Sequence, residues 1–155
     1  MFRLSKMSDY AVVVLSELGR EGVRPDGGAD QRSATDLAAA TGIAEPTVAK
    51  VLKLLGSAGL VTSRRGAQGG YRIARPLART AIADVIVAVE GPIALAACVD
   101  GATGSCEAEG SCPVRGRWDP VNTAIRRALS EITLADMQCP AWAPPARERA
   151  AVVVA

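Results

Sequence analysis

Apolar residues near the start of the chain recur three and four positions apart. Tyr10, Val13, Val14 and Leu18 fall on one face of a helix that Ser8 is placed to cap and that fades across Gly19 to Gly22. The stretch VRPDGGADQR that follows reads as loop. Ser33 then caps a short helix, TDLAAAT, with Asp36 near its positive end. Gly42 closes the turn, and Glu45-Pro46 opens the next helix with proline at the first helical position, where its missing N–H costs least. In PTVAKVLKLLGSAG, Val48, Val51, Leu52 and Leu55 point inward while Lys50 and Lys53 point outward. Two short helices joined by a glycine turn predict a helix-turn-helix.

The pattern then switches from a period of three and four to alternation. Val61, Tyr71 and Ile73 flank the turn GAQGG, as in a two-stranded hairpin with a longer loop. A hairpin directly after a helix-turn-helix makes a winged helix. Arg64, Arg65 and Arg72 gather around that wing, where a minor groove or flanking phosphates of duplex DNA would lie. Thr47 and Lys50, near the start of the second helix, are placed to reach base edges in a major groove, with Lys53 one turn further along. The opposing reading is a small α+β domain whose cations merely solvate its surface. The ordered run of helix pair, wing and arginine cluster favours DNA.

Beyond Pro76, Thr80 is placed to cap AIADVIVAVEG, an apolar helix that stops at Gly91. A glycine-rich stretch follows, and Asp119-Pro120 opens a helix expected to run to about Met137. Trp118, Val121, Ile125, Leu129 and Ile132 form a narrow apolar seam along it, with Arg126, Arg127 and Glu131 to the side. Such a seam can pack within the chain. Pairing with a second subunit is the better use, because one winged helix offers few contacts for specific reading. The expected organisation is a winged helix-turn-helix DNA-binding domain over 1–80, a loop and long dimerisation helix over 81–137, and a loosely held tail over 138–155. The fold class is mainly α with a small β-wing.

Composition narrows this picture. Of 155 residues 49% are apolar, yet only two Trp, two Tyr and one Phe occur, so Ala, Val, Leu and Ile must build the core. Asp9, Glu17, Glu90 and the Gly91-Pro92 break interrupt every apolar run before it reaches membrane-spanning length. The opening MFRLSKMSDY lacks the features of a secretory signal, and a cytoplasmic protein is expected. The net charge of +2 hides a segregation: residues 1–80 carry +5, residues 81–112 carry −5 without a single base, and residues 113–155 carry +2. A basic first half suits a polyanionic partner.

The acidic segment holds Cys98, Cys106 and Cys112 within fifteen residues. Seven residues separate the first pair and five the second, and the chain has no histidine. Neither gap is the short knuckle of structural zinc. Wide gaps through Gly101, Gly104 and Gly110 let a loop wrap something larger than one ion, which favours an iron–sulfur cluster. Zinc held by three thiolates and a carboxylate, and thiols that bind nothing, are the competing readings. Cys139, beyond the long helix, reads as a bystander, although nothing in the spacing removes it as a fourth ligand. A redox enzyme or cluster carrier is disfavoured by the lack of histidine and of a CxxC motif and by few polar groups near the thiols.

Over residues 1–137 the chain resembles the iron–sulfur-binding winged-helix regulators, which include the Isc and Suf assembly regulators and the nitric-oxide-sensing repressor. The resemblance rests on RLSKMSDYAV, on PTVAKVLKLLGSAGLVTSRRGAQGGYRIARP, and on the three-cysteine segment followed by ITLADM. EGPIALAAC and CPVRGRW are similar to the Suf-system regulators. The resemblance implies a homodimer that binds a palindromic promoter site in double-stranded DNA, with a cluster in each subunit on Cys98, Cys106 and Cys112. A four-iron cluster is favoured by analogy, and a two-iron cluster remains open. The Isc regulator's fourth ligand is a histidine three residues after the last cysteine, where this chain has Arg115. The nitric-oxide sensor instead uses an N-terminal aspartate of the partner subunit, and Asp9 occupies the matching place in SKMSDY. Asp9 is therefore the first candidate for the fourth position, against the plainer role of a carboxylate near a helix N-terminus. The implied function is regulation of iron–sulfur assembly genes by cluster occupancy. A winged helix that senses oxidants through its thiols alone is the alternative.

Overall fold

The computed structural model describes residues 3–20, 31–66, 69–99, 102, 106–107 and 110–139. Six α-helices and a two-stranded sheet are found among them: α1 (Lys6–Arg20), α2 (Ala34–Thr41), α3 (Glu45–Ser57), β1 (Val61–Arg64), β2 (Gly70–Ile73), α4 (Ile82–Glu90), α5 (Asp119–Glu131) and α6 (Leu134–Gln138). A single 3-10 turn, Leu77–Arg79, joins the hairpin to α4. The molecule is thus mainly helical, with a winged helix at its N-terminal end. The tail from residue 140 onward and most of the 23–32 loop lie outside the described residues.

Helix α1 begins two residues before the expected cap. Ser5 takes the capping role, its Oγ accepting from Ser8 N at 3.3 Å. Ser8 sits inside the helix and is buried. The buried face is also rotated from the one expected. Ala11, Val14, Leu15 and Leu18 point inward, Tyr10 is half-buried, and Val13 is exposed. Both Tyr10–Val13–Val14 and Ala11–Val14–Leu15 satisfy a helical period, and the packing of α2, α3 and α4 against this helix decides between them.

The α2–α3 pair forms as the sequence predicts. Ser33 and Asp36 make a reciprocal capping box, and Gly42 adopts the left-handed conformation (φ 71°) with its N–H on Ala38 O. Proline occupies the first turn of α3, and Val48, Val51, Leu52 and Leu55 are all fully buried. The hairpin pairs Val61 with Ile73, Thr62 with Arg72, Ser63 with Tyr71 and Arg64 with Gly70. A further pairing extends it, in which Arg32 and Tyr71 exchange backbone hydrogen bonds of 3.0 and 2.9 Å. Residue 70 is glycine for a steric reason: a Cβ there would lie 2.9 Å from Arg32 O.

The second half departs from expectation at two caps. Thr80 does not cap α4, whose N-cap residue is Ala81; Thr80 Oγ1 instead donates to Pro76 O at 3.1 Å. The C-terminal helix is not continuous. Ile132 is extended (φ −99°, ψ 127°), α5 stops at Glu131, and Thr133 with Asp136 makes a second capping box that opens α6. Two backbone bonds pin this break to the start of α4: Ile82 N to Ile132 O, and Leu134 N to Thr80 O, both 2.9 Å. Leu134 is fully buried and joins the core cluster of α1, α3 and α4. Leu129 and Ile132 of the apolar seam pack against that core, whereas Trp118 and Val121 stay exposed. No helix among the described residues is long and apolar enough to cross a membrane.

Candidate nucleic-acid interface and thiol segment

The four buried side chains of α3 anchor it to α1 and α2 and turn its opposite face outward. Lys50 and Lys53 are exposed on that face, and Thr47 is half-buried one turn from the N-terminus. Ala44 gives α3 no side-chain cap, while Thr35 Oγ1 donates to Glu45 Oε1 at 3.0 Å and ties the first turn of α3 to α2. Helix α3 is therefore tied to α2, with two cations presented to solvent.

The register of the wing puts Thr62, Arg64 and Arg72 on one face, because Thr62 and Arg64 are two apart and Arg72 lies opposite Thr62. Arg72 Nε donates to Thr62 Oγ1 at 3.1 Å, which fixes the guanidinium over the sheet. Arg64 faces Gly70 across the hairpin, so nothing covers it from the opposite strand. Arg65 begins the turn and is exposed. A shallow recess on this face is bounded by Gln31, Thr62, Ser63, Arg64, Gly70 and Arg72. Gln31 and Thr62 were absent from the sequence-derived set. Gln31 only precedes the isolated bridge residue Arg32, and a single bridged residue leaves no period-2 signature.

Behind the wing, Arg32 Nη1 and Glu17 Oε1 form a largely buried ion pair at 2.7 Å. The hydrogen bond from Arg32 holds the Glu17 carboxyl below its usual range. This contact fixes the wing's base to α1 while leaving Arg64, Arg65 and Arg72 free of it.

Cys98, Cys106 and Cys112 are half-buried free thiols, and Cys139 is an exposed one. Cys98 lies in the turn between Ala96 and Val99, and Cys112 O accepts from Arg115 N at 3.3 Å. Arg115, where a histidine ligand would stand, is exposed and carries a cation. Asp9 is exposed on the first turn of α1. Among the described residues no three Cys, Asp or Glu side chains gather closely enough to hold a metal ion. Residues 100–101, 103–105 and 108–109 of the cysteine loop lie outside those residues. The donor chemistry nonetheless fits a cluster: three soft sulfurs on one loop, each partly withdrawn from water, with no competing histidine.

Two polar residues outside the expected site set, Glu90 at the end of α4 and Asn122 on α5, make hydrogen bonds distant in sequence. Glu90 Oε1 accepts from Ser5 N at 2.9 Å and from Ser8 Oγ. Asn122, buried on α5, accepts from Leu95 N and donates to Ile93 O, both at 3.1 Å. Single polar residues at helix positions leave no motif, so pattern alone had no means of singling them out.

Comparison with known proteins converges on one family. The profile described as Rrf2, iron-dependent transcriptional regulator, matches residues 4–140. The HTH-type transcriptional regulator NsrR of Geobacillus kaustophilus is 30% identical over 135 residues, covering 87% of this chain and 88% of that protein. Among solved structures, CymR, the global cysteine regulator of B. subtilis, superposes with a TM-score of 0.66 at 27% identity, covering 88% of this chain and 96% of that one. IscR of T. potens superposes with a TM-score of 0.61 at 29% identity, covering 88% and 85%.

Proposed function

The chain belongs to the Rrf2 family of winged-helix transcriptional regulators, and from that premise we propose that it controls iron–sulfur assembly genes through a bound iron–sulfur cluster. One observation carries the reading. A single chain presents cations on α3 and the wing, and also carries three half-buried thiols on the loop joining α4 to α5. The relatives are transcriptional regulators, and no enzymatic role is assigned.

On this reading two subunits place their α3 helices in successive major grooves of a palindromic duplex site. Thr47, Lys50 and Lys53 face the grooves, and Arg64, Arg65 and Arg72 engage flanking phosphates or a minor groove. Cys98, Cys106 and Cys112 hold the cluster, four-iron by preference, and Asp9 of the partner subunit completes it. A bound cluster supplies an iron- and redox-responsive centre. The protein's part is to convert that state into geometry. Occupancy changes DNA affinity only by the difference in cluster binding between two dimer arrangements. A carboxylate bridging subunits would make that difference large, since its loss frees the first turn of α1.

Anaerobic absorption spectroscopy with iron and sulfide counts, paired with operator binding, tests the proposal. Wild-type protein is expected to be brown. The triple Cys→Ser protein is expected to dimerise but to lose the iron-dependent DNA response, and Asp9→Ala to lose the cluster faster in air. Colourless anaerobic protein with stoichiometric zinc overturns the reading.

A second reading has its own support. The described thiols are free and not gathered, and the cysteine regulator CymR superposes on most of the chain. In that case the thiols sense oxidants directly. Promoter response retained by iron-free protein separates this reading from the first.

A further inference from the structure

Asn122 is only 3% exposed, the one buried polar residue of α5. Both ends of its side-chain amide bond backbone 27 and 29 residues away. Nδ2 donates to Ile93 O and Oδ1 accepts from Leu95 N, each at 3.1 Å. An asparagine used this way replaces the neighbour strand that residues 93–95 lack, and it fixes that segment in register along the helix. The segment lies between Gly91-Pro92, which ends α4, and Cys98.

The far end of α5 is fixed as firmly to the DNA-reading core. Ile132 O accepts from Ile82 N, Leu134 is fully buried, and Gln138 Nε2 donates to Ser16 O of α1 at 2.8 Å. Helix α5 is therefore held at one end by the cysteine segment and at the other by the core that carries α3.

We propose that Asn122 is a positioning residue that registers the Cys98 segment on α5, so that a change at Cys98 is passed to the reading core through this helix. The proposal rests on the reading of Cys98 as the responsive thiol. The positioning itself is independent of what Cys98 binds.

The test uses the full chain, metal-free and reduced, with iodoacetamide and residue-by-residue mass spectrometry. Cys139, exposed at the C-terminal end of α6, serves as the internal reference. Asn122→Leu keeps the branched shape, though it is bulkier, and removes both hydrogen bonds. It is expected to raise the Cys98:Cys139 alkylation ratio about tenfold, the change in local opening that two lost buried hydrogen bonds imply. Asn122→Asp keeps the acceptor for Leu95 N and loses the donor to Ile93 O, and its ratio is expected between the two. A folded Asn122→Leu protein with an unchanged ratio overturns the proposal. Should that variant not fold, amide exchange at Leu95 in the unmutated protein decides: protection supports the clamp, and free exchange overturns it. DNA titration adds the coupling: alkylation of wild-type Cys98 is expected to change operator affinity, and in Asn122→Leu the same modification is expected to change it less. Raised Cys98 reactivity in a colourless protein keeps the positioning role while removing the cluster reading. Unchanged reactivity in a brown protein does the reverse.

Discussion

Ser8 Oγ donates a hydrogen bond to Glu90 Oε1, joining the first turn of α1 to the last residue of α4. Ser8 is buried, so this hydroxyl has no water to fall back on. The same carboxylate oxygen takes Ser5 N, and the Ser8 bond holds the Glu90 carboxyl below its usual range. Asp9 is the next residue along, so the place of that carboxylate depends on this contact.

Ser8→Ala is expected to destabilise the protein by about 1 kcal/mol, the usual net value of one such bond. The effect should be local. Amide exchange is expected to rise in the first turn of α1 and at Gly91, and to stay unchanged in α2 and α3. Chemical denaturation and peptide-resolved exchange check the two parts. A uniform rise across the core would show that Ser8 acts through packing and not through Glu90.

The Glu17–Arg32 pair sets a pH dependence whose sign is fixed. The folded carboxyl titrates below the ordinary 4.5 because Arg32 donates to it. Its contribution is therefore complete above about pH 4.5 and is lost as pH falls through the lower folded value. Glu17→Gln is expected to cost about 1 kcal/mol at neutral pH, and the difference from wild type is expected to vanish in acid. Thermal melts at pH 7 and pH 3 measure both. An equal deficit at the two pH values would rule out the ion pair as its source.

The helix pair and wing were legible because each local signal agreed with the final packing. Ser33 with Asp36, Gly42, and the apolar run Val48, Val51, Leu52 and Leu55 all specify the same structure without outside help. What was not legible depends on distant chain. The face of α1 is chosen by the helices packed on it, and the role of Thr80 by the bridge between Ala81 and Thr133. The break at Ile132 was hidden because the apolar spacing runs through it. Thr133 and Asp136 did carry a capping signal, spaced as in a helix start, but it sat inside a period that continued. At the site, cysteines and surface cations are visible by type alone. Glu90 and Asn122 matter only through partners far away in sequence.

The start of α6 gives a graded test of that break. Thr133→Ala removes the cap and is expected to cost about 1 kcal/mol. Leu134→Ala removes a fully buried side chain and is expected to cost about 2–5 kcal/mol. If α5 and α6 formed one helix in solution, Thr133→Ala would be neutral or stabilising, since alanine is the better interior residue. Urea denaturation of the two variants reads the difference directly.

The two cationic groups of the DNA face are expected to fail in different ways. On the proposed reading Arg72, hydrogen-bonded to Thr62, contacts a phosphate, and such a contact carries charge without sequence information. Arg72→Ala is therefore expected to weaken binding to operator and unrelated duplex alike. It should lower the slope of log K against log salt by about 0.9 per neutralised phosphate. Lys50 is exposed on α3, and on the proposed reading it reaches a base edge. Lys50→Ala is expected to narrow the preference for operator over unrelated DNA by about 1–3 kcal/mol. Thr62→Val keeps the arginine and frees it, so its loss should be a fraction of that of Arg72→Ala. Salt titrations on the two duplexes separate the roles. Equal specificity loss from Arg72→Ala and Lys50→Ala would mean that the wing reads sequence and that α3 does not act alone in recognition.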